Sequence, residues 1–112
     1  MTEETAARVG GFLGLCTRAG QLAFGQESCV DAVRKHKAAV VLLDMDCSEN
    51  TRKRFLDTCK THRTLLYGLP SGMIARVVGK EGRMVVAVKP GGMADKVLDL
   101  LKGEPVMEQS SV

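Results

Sequence analysis

The amino-acid sequence predicts an α/β protein, a three-layer α/β/α sandwich around a central mixed sheet of about four strands. Three observations carry that expectation. Apolar residues recur at helical spacing in several separate stretches. The run Ala38-Ala39-Val40-Val41-Leu42-Leu43 is continuously apolar, as in a strand covered on both faces. Glycine- and serine-marked turns make the two kinds of stretch alternate, which calls for crossover connections and helices on both sides of a sheet.

Ala6, Val9, Leu13 and Cys16 lie on one helical face, predicting a helix over 4–17 that ends before Arg18-Ala19-Gly20. Gly10, Gly11 and Gly14 each weaken it by roughly 1 kcal/mol relative to Ala unless close packing uses them. Residues 21–24 form a short strand. A helix over 26–36 turns Cys29, Val30 and Val33 inward, leaves Glu27, Asp31, Arg34 and Lys35 outside, and has a basic last turn that complements its dipole. After the central strand, Asp44-Met45-Asp46-Cys47 leads to Ser48, an N-cap for a helix with Phe55, Leu56 and Cys59 inside. Residues 64–67 make another strand. Gly68-Leu69-Pro70-Ser71 reads as a turn and cap before a short helix around Ile74, Val77 and Val78, which Gly79 stops in the left-handed conformation. Residues 84–88 are the last strand, and Met93, Val97, Leu100 and Leu101 mark the final helix. Residues 1–103 are read as one domain and 104–112, which lack any period, as a frayed tail.

At 112 residues and 45% hydrophobic, the chain can bury a core without disulfides or metals. Its net charge is +3, but residues 18–89 hold 13 Lys and Arg against 7 Asp and Glu. Positive charge concentrated in this way favours a polyanionic partner, because each cation that meets a phosphate releases a condensed counterion. Cys16, Cys29, Cys47 and Cys59 are scattered, with no paired spacing and no histidine placed to complete a zinc site, so neither metal nor cofactor is expected. Three of these cysteines fall on apolar helix faces, where a free thiol acts as a small core hydrophobe in a reducing compartment. No window reaches the roughly 18 apolar residues of a membrane span, and the first residues are acidic where a signal peptide is basic. A cytoplasmic protein that does not enter membranes is the expectation.

Phosphate-loop, dinucleotide-binding and nucleophile-elbow patterns are absent from the sequence. His36 and His62 stand beside Lys and Arg near helix ends and are read as surface residues. No cysteine has a base within a recognisable motif, so no catalytic residue is assigned and the chain is not read as an enzyme. In sheets of this kind ligands gather beyond strand ends and at helix N-termini, which directs attention to residues 25–27, 44–48 and 79–83. The stretch Arg18-Ala19-Gly20-Gln21-Leu22-Ala23-Phe24-Gly25, followed directly by a helix, is the most informative. A glycine at that turn lets a nucleic-acid backbone come close, and the helix N-terminus offers unpaired N–H groups.

That stretch, with residues 42–51 and with Ile74-Ala75-Arg76-Val77-Val78-Gly79-Lys80-Glu81-Gly82-Arg83, resembles the ribosomal protein L7Ae family, whose members bind RNA kink-turns. The similarity covers 8–101 and is strongest to small bacterial ribosome-associated members. It implies the same sandwich fold, no cofactor, and structured RNA, ribosomal RNA or the ribosome as partner. It also implies that the helix after Gly25 enters the widened groove at the kink, with Gln26, Glu27 and Ser28 at the positions that hydrogen-bond its sheared G·A pairs. Lys80, Glu81, Gly82 and Arg83 match the second RNA-contacting loop, and Arg18 joins them as a cation. The chain departs from the family pattern at four positions: Glu27 for Asn, Ser28 for Glu, Asp31 for Lys and Met45 for Glu. With few aromatics the chain offers no stacking platform for single strands. The cluster Arg52-Lys53-Arg54 is read as a solvated helix face. Two rivals stand beside RNA binding: a protein-interaction module on the same fold that has lost kink-turn selectivity, and a recognition domain of a larger RNA-modifying enzyme.

Overall fold

The computed structural model of the chain describes residues 1–80 and 82–107. Helix α1 (Glu3–Arg18) leads into β1 (Leu22–Phe24), α2 (Gln26–Arg34) and β2 (Val40–Asp44). Then come α3 (Glu49–His62), β3 (Leu65–Leu69), α4 (Met73–Val78), β4 (Val85–Val88) and α5 (Gly92–Leu100). The strands form one mixed sheet in the order β1-β4-β2-β3, with β2 parallel to β3 and β4 antiparallel to both β1 and β2. Every residue of β2 is buried, as its unbroken apolar run requires of a strand covered on both faces.

Alternation along the strands divides the core into two layers. Val40, Leu42, Val86 and Val88 face α1, α4 and α5, where Val9, Leu13, Ile74, Val97 and Leu101 close the first layer. Val41, Leu43, Val85 and Ala87 face α2 and α3, where Cys29, Val33, Phe55 and Cys59 close the second. The predicted three-layer α/β/α sandwich is therefore the observed fold, and Cys16, Cys29 and Cys59 are the buried small hydrophobes that their helix positions predict.

Local chemistry fixes several element ends. Thr2 caps α1 and Ser48 caps α3, each side-chain oxygen accepting a backbone N–H at 3.1 Å, from Thr5 and Thr51 respectively. Gly79 ends α4 at φ +73, as its sequence position predicts. Three boundaries differ from expectation. Strand β3 continues through Leu69, because all five of its residues pair in register with β2, and the cap of α4 is Gly72 at φ +80 rather than Ser71. Helix α2 stops at Arg34, and His36 takes φ +55 to turn the chain towards β2.

The described part of the predicted frayed segment, residues 104–107, lies against the body. Met107 N–H donates to the Leu66 carbonyl at 2.7 Å on the open edge of β3, and Val106 packs on the first core layer. The rest of that segment is outside the described residues. Among the described residues no helix is long and apolar enough to cross a membrane, and no group of metal-ligating side chains is gathered.

Candidate nucleic-acid interface

Strand directions collect the predicted segments at one end of the sheet. The pairings Phe24↔Val86, Leu43↔Val85 and Leu43↔Gly68 put the end of β1, the start of β4 and the ends of β2 and β3 side by side. The entrance to α2, the described residues 79, 80, 82 and 83, and residues 44–48 all project from this end.

At the entrance Gly25 adopts φ +84, ψ 161, a conformation open to glycine and strained for side chains. Arg83 lies close by. A Cβ on Gly25 would lie 2.7 Å from the Arg83 Nη1 atom, so the guanidinium lies against the bare Cα and would have to shift to admit a side chain there. Among the described residues no side chain caps α2, which leaves its first-turn N–H groups, those of Gln26, Glu27 and Ser28, directed out of the helix beside that cation. Burial pushes the Cys29 thiol, on the inner side of this first turn, up to about 12. The two segments expected to form one surface thus meet at the contact between Gly25 and Arg83. Lys80 and Gly82 are exposed on the same loop, and Glu81, also assigned to it, lies outside the described residues.

Helix α3 fixes the side chains that follow Gly25. Gln26 Nε2 donates to Thr51 Oγ1 at 3.1 Å, and Arg54 Nη1 donates to Gln26 Oε1 at 3.4 Å. Arg54 also pairs with Glu27 at 2.9 Å. Its hydrogen bond first, then its charge, hold the Glu27 carboxyl below the ordinary glutamate range, and the same bond raises Arg54. Ser28 is exposed. Sequence reasoning missed Thr51 and Arg54. The signal was their three-residue spacing, which places both on one face of α3, but only the packing of α3 against α2 gives that face its role.

Asp44 organises the neighbouring loops. It is 1% exposed, and its Oδ1 accepts the Asp46 N–H at 2.7 Å while Oδ2 accepts the Gly72 N–H at 2.8 Å. One carboxylate thereby ties the β2–α3 loop to the start of α4. Arg52 Nη2 donates to the Met45 carbonyl at 3.1 Å. Met45 itself is 46% exposed and lies over Gly68 on β3, at the side of the sheet opposite β1.

Arg18 is not brought to this end. The pairing Leu22↔Val88 places it at the other end of β1, where its guanidinium lies beside Gly14 on the surface of α1. A three-residue strand read from sequence gives no indication of which end a flanking side chain serves. Asp31, on the outer face of α2, pairs with Lys35 at 3.0 Å.

Residues 8–98 match the model of the ribosomal protein L7Ae/L30e/S12e/Gadd45 family. The chain belongs to that family. The RNA-binding protein YlxQ of Bacillus subtilis (strain 168) is 37% identical over 90 residues, which cover 80% of this chain and 90% of that protein. The YlxQ protein of Enterococcus faecium is 32% identical over 104 residues, covering 92% of this chain and 100% of its own length. Among solved structures, a protein of unknown function from Bacillus halodurans C superposes with a TM-score of 0.79 at 33% identity, covering 85% of this chain and 97% of that one. A 15.5kD RNA binding protein of Giardia lamblia shares the fold at a TM-score of 0.70 and 13% identity, over 89% and 92% of the two chains. The L7Ae-type sandwich is therefore common to sequences that have diverged widely.

Proposed function

We propose that this chain is a non-catalytic RNA-binding protein of the cytoplasm, acting as one domain over residues 1–103, that receives structured RNA of the kink-turn kind at the α2 entrance. Ribosomal RNA or another RNA of the translation machinery is the expected target. The observation that carries this reading is the contact between Gly25 and Arg83. It sets a cation beside uncapped backbone N–H groups, a combination suited to a phosphate or to base edges exposed at a widened groove. Names given to the relatives support the RNA, since both YlxQ proteins are described as RNA-binding. In this reading Arg83 and Lys80 hold phosphates, Gln26 and Ser28 offer side-chain hydrogen bonds, and Arg54 keeps Glu27 turned along α3, away from the incoming strand.

Titration of a labelled kink-turn RNA and of an unkinked duplex of equal length tests this. The kink-turn should bind more tightly. Arg83→Ala and Lys80→Ala should each weaken binding and lower the slope of log K against log salt by about one unit. Equal affinity for both RNAs, or full binding by the double variant, would sink the assignment. A second reading rests on Met45, an exposed apolar side chain where the family pattern has Glu, together with the pairing of Asp31 with Lys35. In that reading the surface serves a protein partner, and restoring Asp31→Lys with Met45→Glu leaves kink-turn binding weak in a folded protein.

A further inference from the structure

A second feature continues from the α2 entrance. A cleft of about 450 Å³ runs between the outer face of α2, β1 and the turn after β4. Ser28 and Ala23 line its upper part, Asp31 and Lys35 its middle, and His36, Lys37 and Lys89 its lower part. Three lysines stand here against one aspartate. They come from three places in the chain: the end of α2, the turn before β2 and the residue after β4. The sandwich brings them together through pairing, since Lys89 N–H donates to the Gln21 carbonyl at 2.9 Å while Lys89 Nζ reaches the Gly20 carbonyl at 3.0 Å.

We infer that the cleft is a second phosphate-binding site, holding the backbone of one RNA stem as it leaves the α2 entrance. Seven residues of helical rise separate Ser28 from Lys35, roughly 10 Å. That length accompanies about three phosphates of one strand at roughly 3.4 Å of duplex axis each. Lysine, a compact point charge on a flexible stem, suits phosphates whose spacing varies, and the lining holds no Phe, Tyr or Trp to offer a stacking platform. Asp31 lies between Ser28 and Lys35, and its pairing with Lys35 keeps the carboxylate from facing a phosphate alone. The site contributes affinity and stem orientation, with no reading of sequence.

This inference rests on the RNA-binding reading, and the experiment separates the two. The probes are a kink-turn RNA with both flanking stems, the same RNA with each stem shortened in turn, and an unkinked duplex. Wild type should lose affinity when one particular stem is shortened. The variant Lys35→Gln, Lys37→Gln, Lys89→Gln should bind the full RNA at least about tenfold more weakly, with a salt slope lower by two to three units, and should not respond to that shortening. Its preference for kink over duplex should persist. Circular-dichroism melting checks the fold, and Lys37→Glu alone, at an exposed turn position, should weaken binding in the same direction should the triple variant be unstable. Full binding and an unchanged slope in a folded variant overturn the cleft site while leaving the α2 entrance standing, and the open edge of β1 then becomes a surface for a protein. Wild type that binds none of the probes overturns the RNA reading and the cleft with it.

Discussion

Arg54 shows how a residue can have its role set wholly by a neighbouring helix. It stands among three consecutive basic residues, which in isolation form a solvated face, yet it reaches both side chains that follow Gly25. Arg54→Gln should release Glu27, and the midpoint of its titration, followed through the carboxyl resonance by NMR, should rise to the ordinary glutamate range. The sign follows from the direction of the shift: Arg54 favours the ionised carboxylate, so the link exists above the ordinary glutamate value and is lost as pH falls through the lowered one. An unchanged titration in the variant would mean that the pair has no influence in solution. At this scale Gly25 was legible, because a glycine between a strand and a helix marks a backbone position with special demands. Its partner Arg83 was legible only as a loop cation. That the two touch depends on β4 lying antiparallel beside β1, and no local pattern encodes this.

Helix α1 separates two uses of glycine. A Cβ on Gly10 would come within 3.1 Å of Met73 Sδ and 3.5 Å of Val77, so α1 and α4 are in close contact at this point. On Gly11 it would meet nothing within 4 Å. Gly11→Ala should therefore raise stability by up to about 1 kcal/mol through helix propensity alone. Gly10→Ala should gain less or lose, since Met73 must move in a packed layer. Paired denaturant titrations of the two variants check this, and an equal gain at both positions would show that the α1–α4 contact is slack. Helices were the most legible elements because their apolar spacing and caps are local: Ser48 and Gly79 act as their positions predict. The end of β3 was not, since Gly68 and Leu69 carry turn-like composition and only pairing with β2 keeps them extended.

Across the whole molecule, the pattern of helices and strands fixes the class of fold, whereas the insertion of β4 between β1 and β2 is a long-range choice made by two core layers closing together. That choice also buries Cys29 and Cys59 beneath α2 and α3. Burial pushes Cys29 from 9.0 up to about 12 and Cys59 up to about 11. Because these folded-state values lie above the unfolded one, the unfolded chain releases its thiol protons first as pH rises. The stability that the two thiols contribute is fully present below the ordinary thiol value and is lost as pH climbs through the window from 9.0 to about 12. Melting temperature should accordingly decline through the lower part of that window, and less steeply in a Cys29→Ala, Cys59→Ala variant. The cavities left in the second layer lower the variant's absolute stability without imposing that slope. Native alkylation at neutral pH gives an independent measure. Half-buried Cys47 should react first, with Cys29 and Cys59 modified only as the protein unfolds. Equal alkaline slopes in wild type and variant, together with rapid native labelling of Cys29, would show that α2 and α3 open readily from the sheet, and the α2 entrance would then have no rigid support.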